Sequence, residues 1–397
     1  MRNPLSRISL CKLFLLSLWW MAGAVVYAQT EGSVTDTLSR PDILAADSVA
    51  ADTAMVNGKE KFSTKLVRTG NIFVRFVKSF NDMDTTYIVP NYYNYAAMIQ
   101  NTNFLQVYRL KAVRDDGHVQ TIHMSPKPSF RIGPYFGWRW IFLGYTFDIS
   151  HPNSAGKTTE LSLSLYSSML GVDLVYIKNK GDFTIRKVSG FGEQDDLVRS
   201  VSFAGADTYT TGINLYYVFN HKRFSYPAAF AQSTVQRKSC GSWMMGFRYD
   251  SQRLEFDYNQ LPPALLQPSG VDNPGLIDEM KISKIGYRNY SLSLGYAYNW
   301  VFAPRFLFSV SMAPSFGIKQ ANGERITGDS FLDNVKNFNV DFIARGALVW
   351  NNNRWFAGVS AVSHLYAYSK ERFSMTNNVN YVNVYVGFNF NKRKQYR

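Results

Sequence analysis

From residue 96 onward, apolar and polar residues alternate along the chain with a period of two. In the last run, Val382, Val384, Val386, Phe388 and Phe390 share one face, and Asn383, Tyr385, Gly387 and Asn389 the other. Successive side chains of a strand point to opposite faces, so this pattern predicts strands with one apolar and one polar face. Twelve such strands are predicted, at 98–112, 128–136, 140–149, 159–166, 170–178, 208–219, 240–250, 284–300, 304–318, 338–350, 354–369 and 378–390.

The connections between these strands alternate in length. Short turns are predicted at 137–139, 167–169, 299–304 and 351–353, and long loops at 113–127, 150–158, 179–207, 251–283, 319–337 and 370–377. Aromatic residues gather near strand ends, as an interfacial girdle would: Trp140, Trp243, Trp300, Trp350 and Trp355. Both features are typical of outer-membrane barrels. We therefore predict an all-β fold, an antiparallel transmembrane β-barrel of about 12 strands (10 to 14 possible) with a short N-terminal helix.

Three places depart from the regular pattern. Residues 220–239 should form a short turn and are far too long for one, so they either hide a strand pair or fold into the lumen or under the barrel. Pro134 and Pro314 fall inside predicted strands, where each removes a hydrogen bond from the ladder. Bulges or strand ends are expected at both prolines.

The polar faces of the predicted strands carry charges that would point into the lumen: Arg131, Asp148, Glu160, Asp173, Arg248, Asp341 and Arg345. These charges could line a selective pore, or they could pair with one another and fill the barrel. Pairing is favoured, because twelve strands lie between the filled eight-stranded barrels and the open 16-stranded porins. A narrow or plugged lumen is expected.

The amino terminus has the pattern of a secretory signal peptide. Arg2, Arg7 and Lys12 precede an apolar run, and cleavage is expected between Ala28 and Gln29. The predicted organisation is a signal peptide (1–28), a flexible periplasmic leader (29–60), an amphipathic helix with a lead-in (61–95), the barrel (96–390) and a basic tail (391–397). The helix, at 62–80, could lie on the inner leaflet, plug the barrel mouth or pack on its own domain.

Composition narrows the class of protein further. The chain is 16% aromatic and 18% charged with a mean hydropathy of -0.19, and no apolar run after residue 28 is long enough for a membrane helix. The net charge is +14, or +11 once the signal peptide is removed. This charge suits contact with outer-membrane lipid and lipopolysaccharide, whereas the scattered basic residues disfavour nucleic acid. Cys240 would be the one cysteine of the mature chain, which excludes sites built on paired thiolates.

Four segments together resemble an uncharacterised family of secreted Bacteroidota proteins, domain of unknown function 4421. They are Asp84 to Tyr93, Asn214 to Asn220, Phe224 to Phe230 and Lys238 to Ser242. The resemblance covers most of residues 70 to 390, and it implies an outer-membrane barrel without an assigned activity. The last strand, closing on Phe390, also resembles the signal that barrel-assembly machinery recognises. Here seven residues follow Phe390, whereas that signal normally ends on the aromatic residue.

Catalytic chemistry is hard to find in the sequence. His118 and His123 lie near Asp115 and Asp116 and could hold a metal, although a solvated polar loop is favoured. His364 would point into the lumen, away from membrane lipid, which disfavours a lipase. No Gly-x-Ser-x-Gly, nucleotide-binding loop or paired-carboxylate motif is present.

We therefore expect a protein that is not an enzyme and has no cofactor, located in the outer membrane, with a structural, binding or narrow-channel role. The alternatives are an outer-membrane lipid-modifying enzyme and a secreted glycan-binding β-sandwich. The ligand and the oligomeric state stay open.

Overall fold

The computed structural model describes residues 83–138, 141–150, 158–266, 275–325, 330–370 and 372–397. The predicted signal cleavage between Ala28 and Gln29, the leader and the helix at 62–80 lie outside these residues, as does Trp140. In the described part of the chain, no helix is both long and apolar enough to cross a membrane.

The described residues are mostly strands. In chain order these are β1 (Ile88–Pro90), β2 (Tyr93–Val113), β3 (Val119–Pro126), β4 (Ser129–Trp138), β5 (Ile141–Gly144), β6 (Phe147–Asp148), β7 (Thr158–Tyr166), β8 (Leu170–Lys180), β9 (Phe183–Ser189), β10 (Val201–Phe203), β11 (Ala206–Val218), β12 (Thr234–Gln236), β13 (Cys240–Phe256), β14 (Ile282–Ala303), β15 (Phe306–Arg325), β16 (Ser330–Asn351), β17 (Trp355–Lys370) and β18 (Phe373–Lys392). The helices are short: α1 (Gln194–Leu197), α2 (Tyr226–Phe230), α3 (Pro263–Leu266) and 3₁₀ turns at Tyr258–Gln260, Asp278–Met280 and Lys394–Tyr396.

All the described strands except β1 and β12 form one antiparallel sheet that curls into a barrel. Its wall runs in the order β2-β18-β17-β16-β15-β14-β13-β11-β8-β7, and β4 continues it on the other side of β2. The short strands β5 and β6 follow one another along β4 and share one position in the wall. The two ends of the sheet meet where β5 approaches β7. These strands occupy twelve positions around the wall, so the predicted antiparallel barrel of about 12 strands is confirmed.

Side chains alternate between the two sides of the wall. On β14, Tyr290, Leu292 and Leu294 are about half exposed, whereas Ser291 and Ser293 are buried. Such exposed apolar residues recur on neighbouring strands and form a continuous outward belt. Three tryptophans lie at the end of the barrel that carries the short turns and are also about half exposed: Trp243, Trp300 and Trp355. Trp350 is half-buried at the same end.

The outward connections differ from the predicted long loops. Residues 113–127 and 179–207 contain β3, β9 and β10, which extend the sheet beyond the barrel in the order β10-β9-β3-β2. The strands β15, β16, β17 and β18 also continue past their predicted ends, so that 319–337 and 370–377 are mostly hairpin. These loop predictions were wrong because the alternation fades where the strands leave the outward belt and pack against an apolar core, while backbone pairing continues.

The prolines interrupt pairing without the predicted bulges. Across Pro314, the pairs Ser293 with Ser315 and Tyr296 with Met312 keep the same register. Opposite Pro134, the wall is interrupted between β5 and β6, again in register. The missing N–H removes one hydrogen bond, and the flanking pairs hold the strands in place. The strands that carry the prolines, β4 and β15, neither bulge nor end there, so the prediction was wrong for them, although β5 ends and β6 begins opposite Pro134.

Residues 220–239 fold into the lumen, one of the alternatives left open by the sequence. This plug segment contains α2 and β12, and β12 pairs with β1. Phe224, Tyr226 and Ala229 are buried. The Tyr226 hydroxyl shares a hydrogen bond of 2.7 Å with the Ser311 hydroxyl on the inner wall. The plug segment therefore fills the end of the barrel that carries the short turns.

Candidate binding cavity in the barrel interior

The interior of the barrel is packed in layers. At the end opposite the short turns, an apolar core joins wall residues to the sheet extension and the outward connections. Its members include Tyr108, Ile122, Phe183, Leu254, Leu265 and Phe373, all buried. At the other end the plug segment makes a second apolar cluster around Phe224 and Tyr226. A polar layer lies between the two.

An ion pair crosses the polar layer between strands on nearly opposite sides of the barrel. Arg345 Nη2 on β16 donates to Asp173 Oδ2 on β8 at 2.5 Å, and both side chains are buried. Asp173 also accepts hydrogen bonds from Ser164 (2.8 Å) and Asn214 (2.9 Å). The Arg345 guanidinium lies 5.4 Å from the centre of the Tyr216 ring. The sequence pattern predicted the inward direction of both charges but named no partners.

A second charged cluster in the polar layer is formed by inward-facing residues of β13, β15 and β16. Arg248 pairs with Asp250 at 3.2 Å, and Lys319 pairs with Asp341 at 2.6 Å. The Asn289 amide donates to both carboxylates, at 3.1 Å to Asp250 and 2.7 Å to Asp341. Sequence analysis missed Asp250 and Lys319. The signal was available, because both continue the inward alternation of their strands and Lys319 comes one residue after a predicted strand end.

Further contacts across the lumen complete the filling. Asn179 on β8 donates to Gln106 on β2 at 3.0 Å, and Asn377 on β18 donates to Gln252 on β13 at 2.9 Å. Each of these bonds joins strands that are four or five positions apart in the wall. Opposite walls of the barrel are thus tied together by buried amides as well as by charges.

A cavity of about 330 Å³ remains on one side of the interior. It is lined by Ser162 and Ser164, which share one face of β7 with the buried Tyr166, and also by Leu161 and Leu163 from the other face of the same strand. In the described residues β7 pairs with β8 alone, and β5 and β6 pair with β4 alone. The cavity therefore lies along the unpaired edge of β7 and contacts residues from both faces of that strand. We call this gap in the wall, between β5–β6 and β7, the seam.

One ion pair bridges the seam. Arg131 Nη1 on β4 lies 3.6 Å from Glu160 Oε2 on β7, and Arg131 Nη2 donates to the Thr146 carbonyl at 3.5 Å. Arg131 Nε and Glu160 Oε2 are buried without a hydrogen-bond partner. This pair is looser than the Arg345–Asp173 pair and leaves one donor and one acceptor unused.

Two more unpartnered polar atoms belong to side chains that line the cavity. His364 Nδ1 on β17 and the Tyr381 hydroxyl on β18 have no hydrogen-bond partner, and the side chains are 6% and 7% exposed. The His364 ring stacks on Tyr366 at 6.2 Å. Polar side chains thus line the cavity from both sides, at the seam and at β17–β18.

Asp148 also lies at the seam, directly opposite Arg131 in the pairing of β6 with β4. It is half-buried and accepts hydrogen bonds from the Ser150 backbone and hydroxyl at 2.9 and 2.7 Å. The residues of the predicted assembly strand belong to β18, which pairs with β17 and β2 on its two edges. Of these, Val384, Val386, Phe388 and Phe390 are exposed on the outward belt, and Val382 is half-buried.

The candidate metal residues are engaged with other groups. The hydrogen bond from Arg114 holds the pKa of Asp116 down to about 2, and Asp115 pairs with Arg372. A ring nitrogen of His118 lies 2.8 Å from the Gly190 carbonyl oxygen. Partial burial lowers the pKa of His123. No group of three or more potential metal ligands is found in the part of the chain that the structure describes.

Comparison with known proteins gives a family and several fold neighbours. The model of the family described as "Domain of unknown function (DUF4421)" matches residues 82–390. No curated protein matches the chain. Among solved structures, the outer membrane protease OmpT from Escherichia coli is 8% identical with a TM-score of 0.36, covering 75% of this chain and 97% of its own. The translocator domain of the autotransporter NalP from Neisseria meningitidis is 8% identical (TM-score 0.26; 84% and 100% covered). The toluene transporter TodX from P. putida is also 8% identical (TM-score 0.24; 75% and 91% covered).

Proposed function

The chain belongs to the DUF4421 family, and from that premise we propose that it is an outer-membrane barrel with a sealed lumen and a structural or binding role. It is neither an open diffusion channel nor an enzyme. The observation that carries the proposal is the Arg345–Asp173 pair, which crosses the lumen and is stacked between apolar layers at both ends. A pore for hydrated solutes needs a continuous aqueous path, and in the described residues two apolar clusters and a buried ion pair lie across the lumen.

The placement in the outer membrane rests on the outer surface of the barrel. Leu292, Leu294, Val310 and Met312 are among the many apolar side chains left about half exposed on adjacent strands. An apolar surface of this size would promote aggregation in water, whereas in a membrane it would contact the lipid chains. The predicted signal peptide agrees with export. The assembly machinery would recognise β18, the strand that closes on Phe390.

The test combines two measurements on the refolded protein. A barrel of this kind should migrate faster on a detergent gel before boiling than after, and it should show no stepwise conductance in a planar bilayer. An unchanged mobility would contradict the barrel in a membrane. A stable conductance from protein that does shift on boiling would contradict the sealed lumen.

A second proposal concerns lipopolysaccharide. Outward-facing cations border the apolar belt on its side away from the short turns, and Lys178 and Arg253 flank Tyr209, each within 6 Å of its ring. Arg288 and Lys284 follow on the next strand. This basic collar would lie at the depth of the anionic phosphates of lipopolysaccharide.

The collar is tested by charge removal. The variant Lys178→Gln/Arg253→Gln should retain less lipopolysaccharide after detergent washing than the native protein. The matched control Arg199→Gln removes an exposed cation outside the collar and should change nothing. Equal retention by all three proteins would refute the proposed contact.

A further inference from the structure

The cavity beside the seam has the features of a binding site, and we propose that it holds the head group of a zwitterionic amphiphile that enters sideways from the membrane. The amphiphile's apolar chain would stay outside, between Leu161 and the surrounding lipid. This inference rests on the proposed function, because the seam faces lipid only if the barrel spans a membrane.

The charge of the ligand follows from the Arg131–Glu160 pair. Charge-assisted hydrogen bonds are typically 2.7–2.9 Å long, and this pair is separated by 3.6 Å. Arg131 Nε and Glu160 Oε2 both lack a hydrogen-bond partner. An anionic group can accept from Arg131 while an ammonium donates to Glu160. Asp148 lies opposite Arg131 in the sheet, so the site holds one guanidinium and two carboxylates. A purely anionic ligand would leave Glu160 buried without a donor, which is costly.

Two further polar side chains of the cavity belong to β17 and β18. His364 on β17 and Tyr381 on β18 line the cavity, and neither His364 Nδ1 nor the Tyr381 hydroxyl has a hydrogen-bond partner. Unpartnered buried atoms also occur elsewhere in the barrel, as at Tyr216 and Ser291, but those of His364 and Tyr381 belong to side chains that line the cavity. We therefore assign them to uncharged oxygen atoms of the ligand. Glycerol hydroxyl or ester oxygens beside a charged head group have this chemistry.

The depth and size of the cavity favour a head group over a whole lipid. Thr159, next to Glu160, pairs with Lys178 of the basic collar, so the Arg131–Glu160 pair lies at the level of the membrane interface. Leu161 comes directly after this level and is 66% exposed on the outward side. A volume of about 330 Å³ is at the small end of the range for ligand pockets.

The experiment measures binding of three probes to the full chain refolded in detergent, by native mass spectrometry. The probes are lysophosphatidylethanolamine, which is zwitterionic, lysophosphatidylglycerol, which is anionic, and glycerophosphoethanolamine, the head group without a chain. We expect the first to bind most tightly. Arg131→Gln and Glu160→Gln should each weaken it about tenfold, the loss of one hydrogen bond to a charged group. Arg199→Gln is the exposed control and should bind like the native protein.

A second variant tests the route of entry. Ser162→Trp places a bulky ring at the seam and should abolish binding of lysophosphatidylethanolamine while the heat-dependent gel shift persists. Equal binding of the anionic probe would overturn the zwitterionic assignment. Binding of the free head group as tightly as the lysolipid, unaffected by Ser162→Trp, would overturn lateral entry. Absence of all binding in native protein that shows the gel shift would overturn the cavity proposal alone, whereas loss of the gel shift would overturn the proposed function as well.

Discussion

The buried Arg345–Asp173 pair predicts a large and specific loss of stability when its charge balance is broken. In Asp173→Asn the remaining oxygen can still accept from Asn214 and the new amide can donate to the Ser164 hydroxyl, but the Arg345 guanidinium is left buried without a counter-charge. Breaking a buried pair from one side costs about 3–5 kcal/mol of unfolding free energy. The exposed pair of Arg199 with Asp196, at 2.6 Å with side chains 62% and 84% exposed, is the matched control. Asp196→Asn should cost about 0–1 kcal/mol.

The assay is urea unfolding of vesicle-embedded protein, in which the heat-dependent gel shift reports the folded fraction at each urea concentration. A double variant, Asp173→Asn/Arg345→Met, removes both charges and keeps much of the arginine stem. It should be less destabilised than the sum of its single variants by about 1–3 kcal/mol, the coupling expected for residues in contact. If Asp173→Asn costs no more than Asp196→Asn, water reaches Arg345, and the packed interior is refuted.

The remaining predictions concern the plug segment and the proposed absence of a metal. Tyr226→Phe removes the hydrogen bond to Ser311 and should lower the free energy of unfolding by about 1 kcal/mol in the same urea assay. Tyr226→Ala should lower it by about 3–5 kcal/mol, because the missing ring leaves a cavity. Equal losses for the two variants would mean that the ring is not packed. Because Asp115 and Asp116 are held by arginines, adding Zn²⁺ or a chelator should leave the melting temperature unchanged, and a metal-dependent rise would contradict this account of the loop.

The barrel could be predicted because its determinants are local. Alternation in β14 and β18 sets which residues face out, and the same parity directs Arg345 and Asp173 inward. The prediction failed where backbone pairing continues but apolar and polar residues no longer alternate. The strands β3 and β9 lie beyond the apolar belt, and their alternation is weak because their sheet packs against a core built from distant segments.

The cavity could not be predicted, because it depends on contacts between distant parts of the chain. Arg131 and Glu160 could be assigned to the lumen, but their meeting across the seam depends on how the ends of the sheet approach. The plug segment gave one signal, its excess length. Its position follows from partners such as Ser311, 85 residues away from Tyr226.

The most direct measurement of the central claim is a cysteine scan along β14, with Cys240 replaced by serine. Each variant is reconstituted in vesicles and probed with a water-soluble thiol reagent and with a lipid-phase quencher of an attached fluorophore. We predict that cysteines at the outward positions of Tyr290, Leu292 and Leu294 are quenched from lipid, and that those at Ser291 and Ser293 react with neither probe. Reaction of the inward cysteines with the aqueous reagent would contradict the sealed lumen, and the same reaction at the outward positions would contradict a membrane-spanning barrel.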